Sequence, residues 1–322
     1  MNLNTLTNPK KIDDEQLFES IKNNWGEINK EWVSHQFGWI NNIYAPFKDH
    51  AKYLIIIHLV EKTLKFYTQN FINYNYDKYY EKKYIEVEKF NITEISKKFD
   101  LPKETVRRKI QELEKINVLK RIKKTVILDR SAFTFVKPEK QIKVTSSYIS
   151  RIIFLLNTEK FLNKKVDNKY VEKKIRENFT TIWSWFYELQ IPWIMTWNSY
   201  FKDFSLFHIF GACAFNQICN SKSDQNKSGS KFIDVLNQEL MDNKNNDPGL
   251  SAMSLSDMTS IPRATIIRKC KILIDRGTLK LNDKNQYLLT GFNLTQESII
   301  QKNLLKRKVK FLSKTINFLM VE

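Results

Sequence analysis

Two stretches of the chain place cationic, amide and hydroxyl side chains at helical spacing, and they are the first candidates for chemistry. The outward positions of the first stretch are Lys103, Thr105, Arg107, Arg108 and Gln111. The second stretch offers Arg263, Thr265, Arg268 and Lys271 in the same order. A guanidinium donates two parallel hydrogen bonds, and a glutamine amide both donates and accepts. These groups suit the recognition of anions and of hydrogen-bonding ring edges, not bond cleavage.

Patterns typical of catalysis or of metal binding do not accompany these stretches. Cys213, Cys219 and Cys270 form no CxxC pair, and four scattered histidines add no zinc spacing. We find no glycine-rich phosphate loop and no nucleophile elbow, so we expect no enzyme, no cofactor and no metal site. His58, His208 and Cys270 fall in apolar runs and are interpreted as core residues.

Length and charge narrow the class of protein. With 322 residues the chain exceeds one typical domain, and its 7 Gly and 7 Pro favour long helices over many short strands. A formal charge of +18 attracts a polyanion, either nucleic acid or an anionic membrane surface. An AT-rich genome also explains part of the Lys excess, since its codons favour lysine, and such lysines lie on solvent-exposed faces without a binding role. We expect no secretory signal and no membrane helix, and a cytoplasmic location at the bacterial nucleoid.

An internal repeat sets the architecture. Shifting the chain by 160 places lays residues 101–109 over 261–269 without a gap, and Ile95-Ser96 over Leu255-Ser256. Upstream, Phe47-Lys48-Asp49 matches Phe201-Lys202-Asp203 at a shift of 154. Asp49 and Asp203 are expected to cap helices or to lie at the surface. A tandem duplication, and hence a pseudo-twofold molecule, explains these matches.

The repeated segment predicts a pair of helices joined by a short turn. Asn91 and Glu94 form a helix start in which the Glu reaches back to the cap, and this helix ends at Phe99. Pro102 begins a second helix that runs to about Lys115. Its buried face is formed by Val106, Ile110 and Leu113, and Asn117 ends it in left-handed geometry.

A hairpin follows each pair of helices. In the first copy, 118–122 and 125–128 flank a tip at Lys123-Lys124. In the second copy, residues 254–257 open a helix, Pro262 starts the next, and Ile266, Cys270 and Leu273 form its buried face. Residues 279–281 and 287–289 then flank a turn at 282–285. Helix, turn, helix, hairpin is the order of a winged helix-turn-helix.

The stretch ITEISKKFDLPKETVRRKIQELEK, residues 92–115, resembles winged-helix bacterial transcription regulators, especially the MarR-like and IclR-like families, and residues 252–277 resemble a diverged copy. The resemblance implies that the second helix enters the major groove of double-stranded DNA. Arg107, Arg108 and Gln111 are then candidates for base reading, and Lys103 and Thr105 for phosphate contact. Wing contacts to phosphates are expected from Lys120, Arg121, Lys123 and Lys124. In the second copy Ile267 replaces Arg107, so this copy either binds a weaker half-site or has lost the contact.

Long helices are expected on both sides of the modules. One carries Val144, Tyr148, Ile152 and Leu155 on one face, and a second carries Ile300, Leu304, Phe311 and Phe318. By resemblance such helices form a dimer interface, so the chain is expected to act as a monomeric pseudo-dimer or as a homodimer. The aromatic cluster is expected to pack in the core, with a pocket for a small-molecule effector as the alternative; its members are Trp183, Trp185, Phe186, Tyr187, Trp193 and Trp197.

We therefore expect a mainly α protein with two winged helix-turn-helix modules. The segments are a tail at 1–24, a first repeat at 25–160 with its winged helix at 88–130, helices and linker at 161–220, a flexible connector at 221–250, a second winged helix at 251–290 and a C-terminal helix at 291–322. The expected function is transcription regulation by binding of double-stranded DNA. The alternatives are a plasmid- or phage-type replication initiator and a protein-interaction scaffold.

Overall fold

A computed structural model of the chain describes residues 11–87, 90–123, 125–131, 137–220, 249–290 and 296–320. The fold is mainly α-helical, as expected, with two small antiparallel sheets. The expected wing residue Lys124, the connector up to residue 248 and the first ten residues lie outside this description. Within it, no helix has both the length and the apolar character needed to cross a membrane.

The elements before residue 160 alternate long scaffold helices with a small α/β unit. In chain order they are α1 (Asp14–Asn23), α2 (Trp25–Phe47), α3 (His50–Gln69), α4 (Tyr76–Glu81), β1 (Tyr84–Val87), α5 (Ile92–Phe99), α6 (Lys103–Lys115), β2 (Leu119–Ile122), β3 (Thr125–Asp129) and α7 (Glu139–Thr158).

The elements after residue 160 follow a similar order. They are α8 (Asn168–Glu177), α9 (Phe179–Phe201), α10 (Phe204–Asn220), α11 (Ala252–Thr259), α12 (Arg263–Asp275), β4 (Leu279–Leu281), β5 (Tyr287–Leu289) and α13 (Gln296–Met320).

Short polar signals set the ends of the scaffold helices. Lys48 is the C-cap of α2 and Lys202 is the C-cap of α9, and both have left-handed backbone geometry. Asp49 then caps α3 by accepting from the amides of Ala51 and Lys52. Asp203 accepts in the same way from the amides of two residues that follow it. The capping interpretation of both aspartates is confirmed, and the side chains satisfy amides that have no partner within the helix.

The long helices pack into one continuous apolar core. Helix α2 packs against α10, α3 against α9, α7 against α8, and α1 and α9 against α13. Aromatic stacking runs through the centre, where the ring centroid of Trp183 lies 5.3 Å from that of Phe179 and 4.7 Å from that of Phe186. The whole aromatic cluster belongs to this core or packs against it, as expected. His58, His208 and Cys270 are also buried, which confirms their interpretation as core residues.

The hairpins occur at the predicted places, and each has an additional pairing partner. Strand β3 pairs with β2 as expected, and it also pairs with β1 on its other edge. In the second unit, β4 pairs with β5, and Leu250 forms an antiparallel bridge to Tyr287. Gly249 fits this close approach because a Cβ there would lie 2.8 Å from the Cβ of Gln286.

Several local predictions were wrong. Ser251, not Ser254, caps α11, and its hydroxyl accepts from the amide of Ser254. Glu94 does not complete the expected capping box, because it binds Lys62 at 3.0 Å. Val144 is exposed, whereas the other three residues of the predicted face on α7 are buried. The range assigned to an N-terminal tail contains α1, which packs against α13.

Candidate nucleic-acid interface

Helix α6 separates a buried face from a cationic face. Val106, Ile110 and Leu113 are completely buried, as their spacing predicts. On the opposite side of the helix the exposed side chains are Lys103, Arg107, Arg108 and Gln111, and Thr105 is half-buried. The apolar face fixes α6 against α5 and α3, so the basic side chains are held at the surface.

A rigid turn sets the angle between α5 and α6. Asp100 ends α5 in left-handed geometry, and the hydroxyl of Ser96 donates to the carbonyl of Leu101 at 2.7 Å. The second unit repeats this contact, since the hydroxyl of Ser256 donates to the carbonyl of Ile261 at 2.7 Å. Pro102 and Pro262 then start α6 and α12 with the same backbone angles. The first turns of α6 and α12 have no side-chain cap, and an uncapped first turn can donate its amides to an anion.

Three arginines of the first unit are paired with carboxylates. Arg107 binds Glu104, and Arg108 lies 3.9 Å from Glu112. Arg121 makes a two-pronged contact to Glu114, at 2.5 Å through Nε and 3.1 Å through Nη2. Such exposed pairs contribute at most about 1 kcal/mol each. A phosphate or a guanine edge can therefore replace these carboxylates at small cost.

Three lysines complete the basic surface of the first unit. Lys103 lies in the first turn of α6, Lys120 on β2, and Lys123 at the hairpin tip in left-handed geometry. Their side chains are exposed, and none forms an ion pair with another residue that the structure describes. They are the most readily available phosphate contacts of this unit.

An ion-pair network connects α6 to the start of α3. Lys109 Nζ lies 2.7 Å from Asp49 Oδ2 and 3.0 Å from Glu112 Oε2. Lys52 reaches the same Glu112 carboxylate at 2.9 Å. Hydrogen bonds from Lys52 and Lys109 lower the pKa of Glu112 to about 2. The network ties the basic helix to the residue that caps the scaffold helix.

Helix α12 presents a similar surface with fewer competing acids. Ile266, Cys270 and Leu273 are fully buried. The predicted contacts Arg263, Arg268 and Lys271 are exposed, and Thr265 is half-buried. Within the described residues none of the three cations forms an ion pair, and the one acid of α12, Asp275, lies at its C-terminal end.

The anchor of α12 repeats that of α6. Lys269 binds the carboxylate of Asp203, as Lys109 binds Asp49. Arg276 adds a hydrogen bond of 2.9 Å to the carbonyl of Phe201. These anchoring lysines were not among the residues predicted to form the site. Their signal was present, because Lys109 and Lys269 match at the shift of 160 and the two aspartates match at 154.

Comparison with protein-family models, with curated proteins and with solved structures found no match to this chain. No cluster of histidine, cysteine or acidic side chains in the described ranges has the grouping that a metal ion requires. The two basic surfaces, on α6 and α12 with the hairpins that follow them, are therefore the features of the molecule that point to a function.

Proposed function

We propose that the chain binds double-stranded DNA through two winged helix-turn-helix modules and regulates transcription. One observation carries the proposal: α6 and α12 each combine a fully buried apolar face with an exposed basic face, and a hairpin follows each helix. A helix in this setting is what the major groove of B-DNA admits, and the hairpin then lies along the backbone.

The element boundaries support an origin by duplication. Helices α1, α2 and α3 begin 154 residues before α8, α9 and α10 respectively, and the first two pairs also have equal lengths. Helices α5 and α6 begin and end 160 residues before α11 and α12. These five pairs of helices therefore follow the same order in both halves, and the second half is six residues longer between the scaffold and the module. Helix α4 has no counterpart among the described residues.

Contacts between the halves are reciprocal, which supports the pseudo-dimer. Helix α2 packs against α10, and its counterpart α9 packs against α3. In the same way α1 packs against α13, and α8 packs against α7. Reciprocal contacts are the property of a twofold interface, in which each half offers the same surface to the other. A single chain of this kind addresses two adjacent half-sites about one helical turn apart.

The two modules would read different half-sites. In the first, Arg107 and Arg108 exchange Glu104 and Glu112 for guanine edges or phosphates, and Gln111 suits an adenine. In the second, Ile267 is 47% exposed where the first module has Arg107, and an isoleucine suits the methyl group of thymine. An asymmetric DNA site follows from this difference.

Replacement of the two arginines tests the proposal. We expect Arg107→Ala together with Arg108→Ala to reduce the preference for the selected DNA site over random DNA by about 10- to 100-fold. The apparent melting temperature should stay within a few degrees, because both side chains are exposed. Fluorescence anisotropy with labelled duplexes measures both affinities.

The matched control is Lys173→Ala, which removes an exposed cation from α8, a helix that belongs to neither module. It should leave the site preference unchanged. If the double variant keeps its full preference, α6 does not read the bases. Protection of several direct repeats, in place of one compact site, would favour a replication initiator.

A further inference from the structure

An open groove of about 770 Å³ lies where α7 ends and α8 begins. It is lined by residues from the last two turns of α7 and by residues of the segment 164–170. Sites for small molecules enclose most of the ligand surface, whereas an open groove covers only part of its occupant. The shape of this groove therefore suits an extended chain better than a small molecule.

Phe154 places a large apolar side chain in this groove. It is 62% exposed, although its neighbours Ile153 and Leu155 are buried. Val166 lies half-buried in the same groove. A phenylalanine ring left in water is stabilised when an apolar side chain of a partner covers it. Aromatic side chains are accordingly enriched in the centres of protein interfaces.

The duplicated half of the chain provides an internal comparison. At the shift of 160, Asn157 corresponds to Asn317, and each side-chain amide donates to a carbonyl of the segment that leads into α8 or α1. The same shift lays Phe154 over Lys314, whose Nζ lies 4.4 Å from the ring centroid of Trp185. The two halves thus keep the same anchor, and the fold does not require a large apolar side chain at this position.

Hydrogen bonds hold the groove in shape without a ligand. Asn157 Nδ2 donates to the carbonyl of Lys164 at 3.1 Å, which fixes the segment against α7. Asp167 Oδ1 accepts from the amide of Tyr170 at 2.7 Å and so caps α8. The hydroxyl of Tyr170 donates to the carbonyl of Leu319 at 3.3 Å. A groove that is already formed loses little conformational entropy when it binds a partner.

The charge around the groove favours an acidic partner. Lys164 and Lys165 line it, and its one carboxylate among the described residues is that of Asp167. Lys165 is exposed and forms no ion pair within the part of the chain that the structure describes. Lys160 and Lys169, close by in the chain, are also exposed. Carboxylates of a partner would therefore meet a positive surface.

The rings of the groove favour a peptide over single-stranded nucleic acid. The Nζ atoms of Lys164 and Lys174 lie 5.5 Å and 5.9 Å from the ring centroid of Tyr170, so ammonium groups already occupy that ring. Phe154 is then the ring of the groove that remains open to stacking. Surfaces for single-stranded nucleic acid stack successive bases on several rings. One open ring between lysines suits an apolar side chain flanked by acids.

We infer that this groove binds an acidic segment of a partner protein that carries an aromatic or large aliphatic side chain. The apolar side chain packs on Phe154 and Val166, and the flanking carboxylates lie against Lys164 and Lys165. Binding of the segment does not depend on DNA binding, whereas recruitment of the partner to a DNA site rests on the proposed function.

Two fluorescein-labelled peptides of about 12 residues test the groove without DNA. The first carries leucine and phenylalanine among aspartates and glutamates, and the second has serine at every apolar position. By fluorescence anisotropy on the full chain, we expect the first peptide to bind with a Kd below about 100 μM and about 10-fold or more tightly than the second. Equal binding of the two peptides, or no binding of the first, would overturn the inference.

Two variants locate the binding site. Phe154→Ser should remove the advantage of the first peptide, and Lys165→Glu should weaken both peptides several-fold; both side chains are exposed, so the fold should persist. The matched controls are Phe66→Ser and Lys173→Glu, which change exposed side chains that do not line the groove. An unchanged advantage in Phe154→Ser would place the peptide elsewhere and contradict the assignment.

A labelled oligothymidylate of about 12 nucleotides tests the other class of occupant. It should bind Phe154→Ser as tightly as the wild type. A loss of about 10-fold would assign the groove to single-stranded nucleic acid and overturn the inference. The two proposals fail separately: peptide binding without DNA binding would refute only the proposed function, and DNA binding without peptide binding would refute only this inference.

Discussion

Lys308 is a lysine in an apolar, aromatic environment. It is fully buried on α13, and its Nζ lies 5.1 Å from the ring of Trp25, 4.5 Å from that of Trp32 and 5.1 Å from that of Tyr148. The Nζ has no hydrogen-bond partner among the described residues. Burial lowers the pKa of Lys308 well below its usual value, because desolvation disfavours the ammonium form.

This burial predicts that Lys308→Met stabilises the protein. At pH 7 the unfolded chain keeps the Lys308 proton in water, whereas burial disfavours that proton in the folded protein. The buried lysine therefore reduces stability in a way that a methionine would not. We expect the free energy of unfolding in urea to rise by about 1–3 kcal/mol at pH 7, and by less at pH 10. Lys302→Met, at an exposed position of the same helix, should change little. A loss of more than about 1 kcal/mol in Lys308→Met would mean that the charged amine is stabilised by the rings.

His35, His58 and His208 are buried and His50 is half-buried, and the pKa values of all four histidines shift in the same direction. Burial lowers the pKa of His35 and of His50 to about 3 and that of His58 to about 4. Burial also holds the pKa of His208 well below its usual value. His50 and His208 contact each other at 3.3 Å, and His208 lies 2.6 Å from the amide oxygen of Asn41.

The histidines predict acid lability. The folded protein keeps them neutral, whereas the unfolded chain protonates them below about pH 6.5, so stability is present above that pH and falls as the pH decreases toward 4. Each histidine contributes up to about 1.4 kcal/mol per pH unit in that window. Urea unfolding at pH 7, 6 and 5 measures the slope, which His50→Gln should reduce. A stability that stays constant from pH 7 to 5 would contradict the burial of neutral imidazoles.

At the scale of elements, local signals predicted helices α5, α6 and α12 and the two hairpins well. The apolar spacing of α6 and α12, the prolines that start them and the left-handed residues Asn117 and Gly277 all act within a few residues. Strand β1 could not be predicted in this way, because it depends on pairing with β3, which lies about 40 residues later. The bridge from Leu250 to Tyr287 depends on the same kind of distant pairing.

The residues of the candidate site were predicted only in part, because some of them depend on contacts with distant parts of the chain. Helical periodicity alone placed Arg107, Arg108 and Gln111 on the solvent side. It did not identify Lys109 as an anchor, because its partner Asp49 comes from a helix earlier in the chain.

The ion pairs Lys109–Asp49 and Lys269–Asp203 should stabilise the protein by similar amounts. Lys109 and Lys269 are mostly buried, so Lys109→Met and Lys269→Met should each reduce the free energy of unfolding by about 1–2 kcal/mol. Asp49→Asn keeps a helix cap and removes the charge. In a double-mutant cycle the pair Asp49 and Lys109 should show a coupling of at least about 0.5 kcal/mol. Additive effects would mean that the ion pair does not hold α6 to the scaffold.

At the scale of the whole molecule, the interlocked packing makes the two halves depend on each other. Helices α1 and α8 each pack against the last helix of the opposite half. In the centre, α2 packs against α10 and α3 packs against α9. The core is continuous from Ile12 to Met320. Two basic surfaces held by one core, in a chain of charge +18, suit one anionic polymer that touches both.

The most direct test of DNA binding through both modules is the salt dependence of binding to a selected duplex, together with a footprint. We predict that one chain protects one compact, imperfectly palindromic site. With about six phosphate contacts, the logarithm of the binding constant should fall against the logarithm of salt concentration between 50 and 200 mM with a slope of about −5. Lys120→Ala with Lys280→Ala, which removes one exposed lysine from each module, should make the slope less steep by about 2. A slope near zero, or a slope that the double variant leaves unchanged, would contradict DNA binding through these two surfaces.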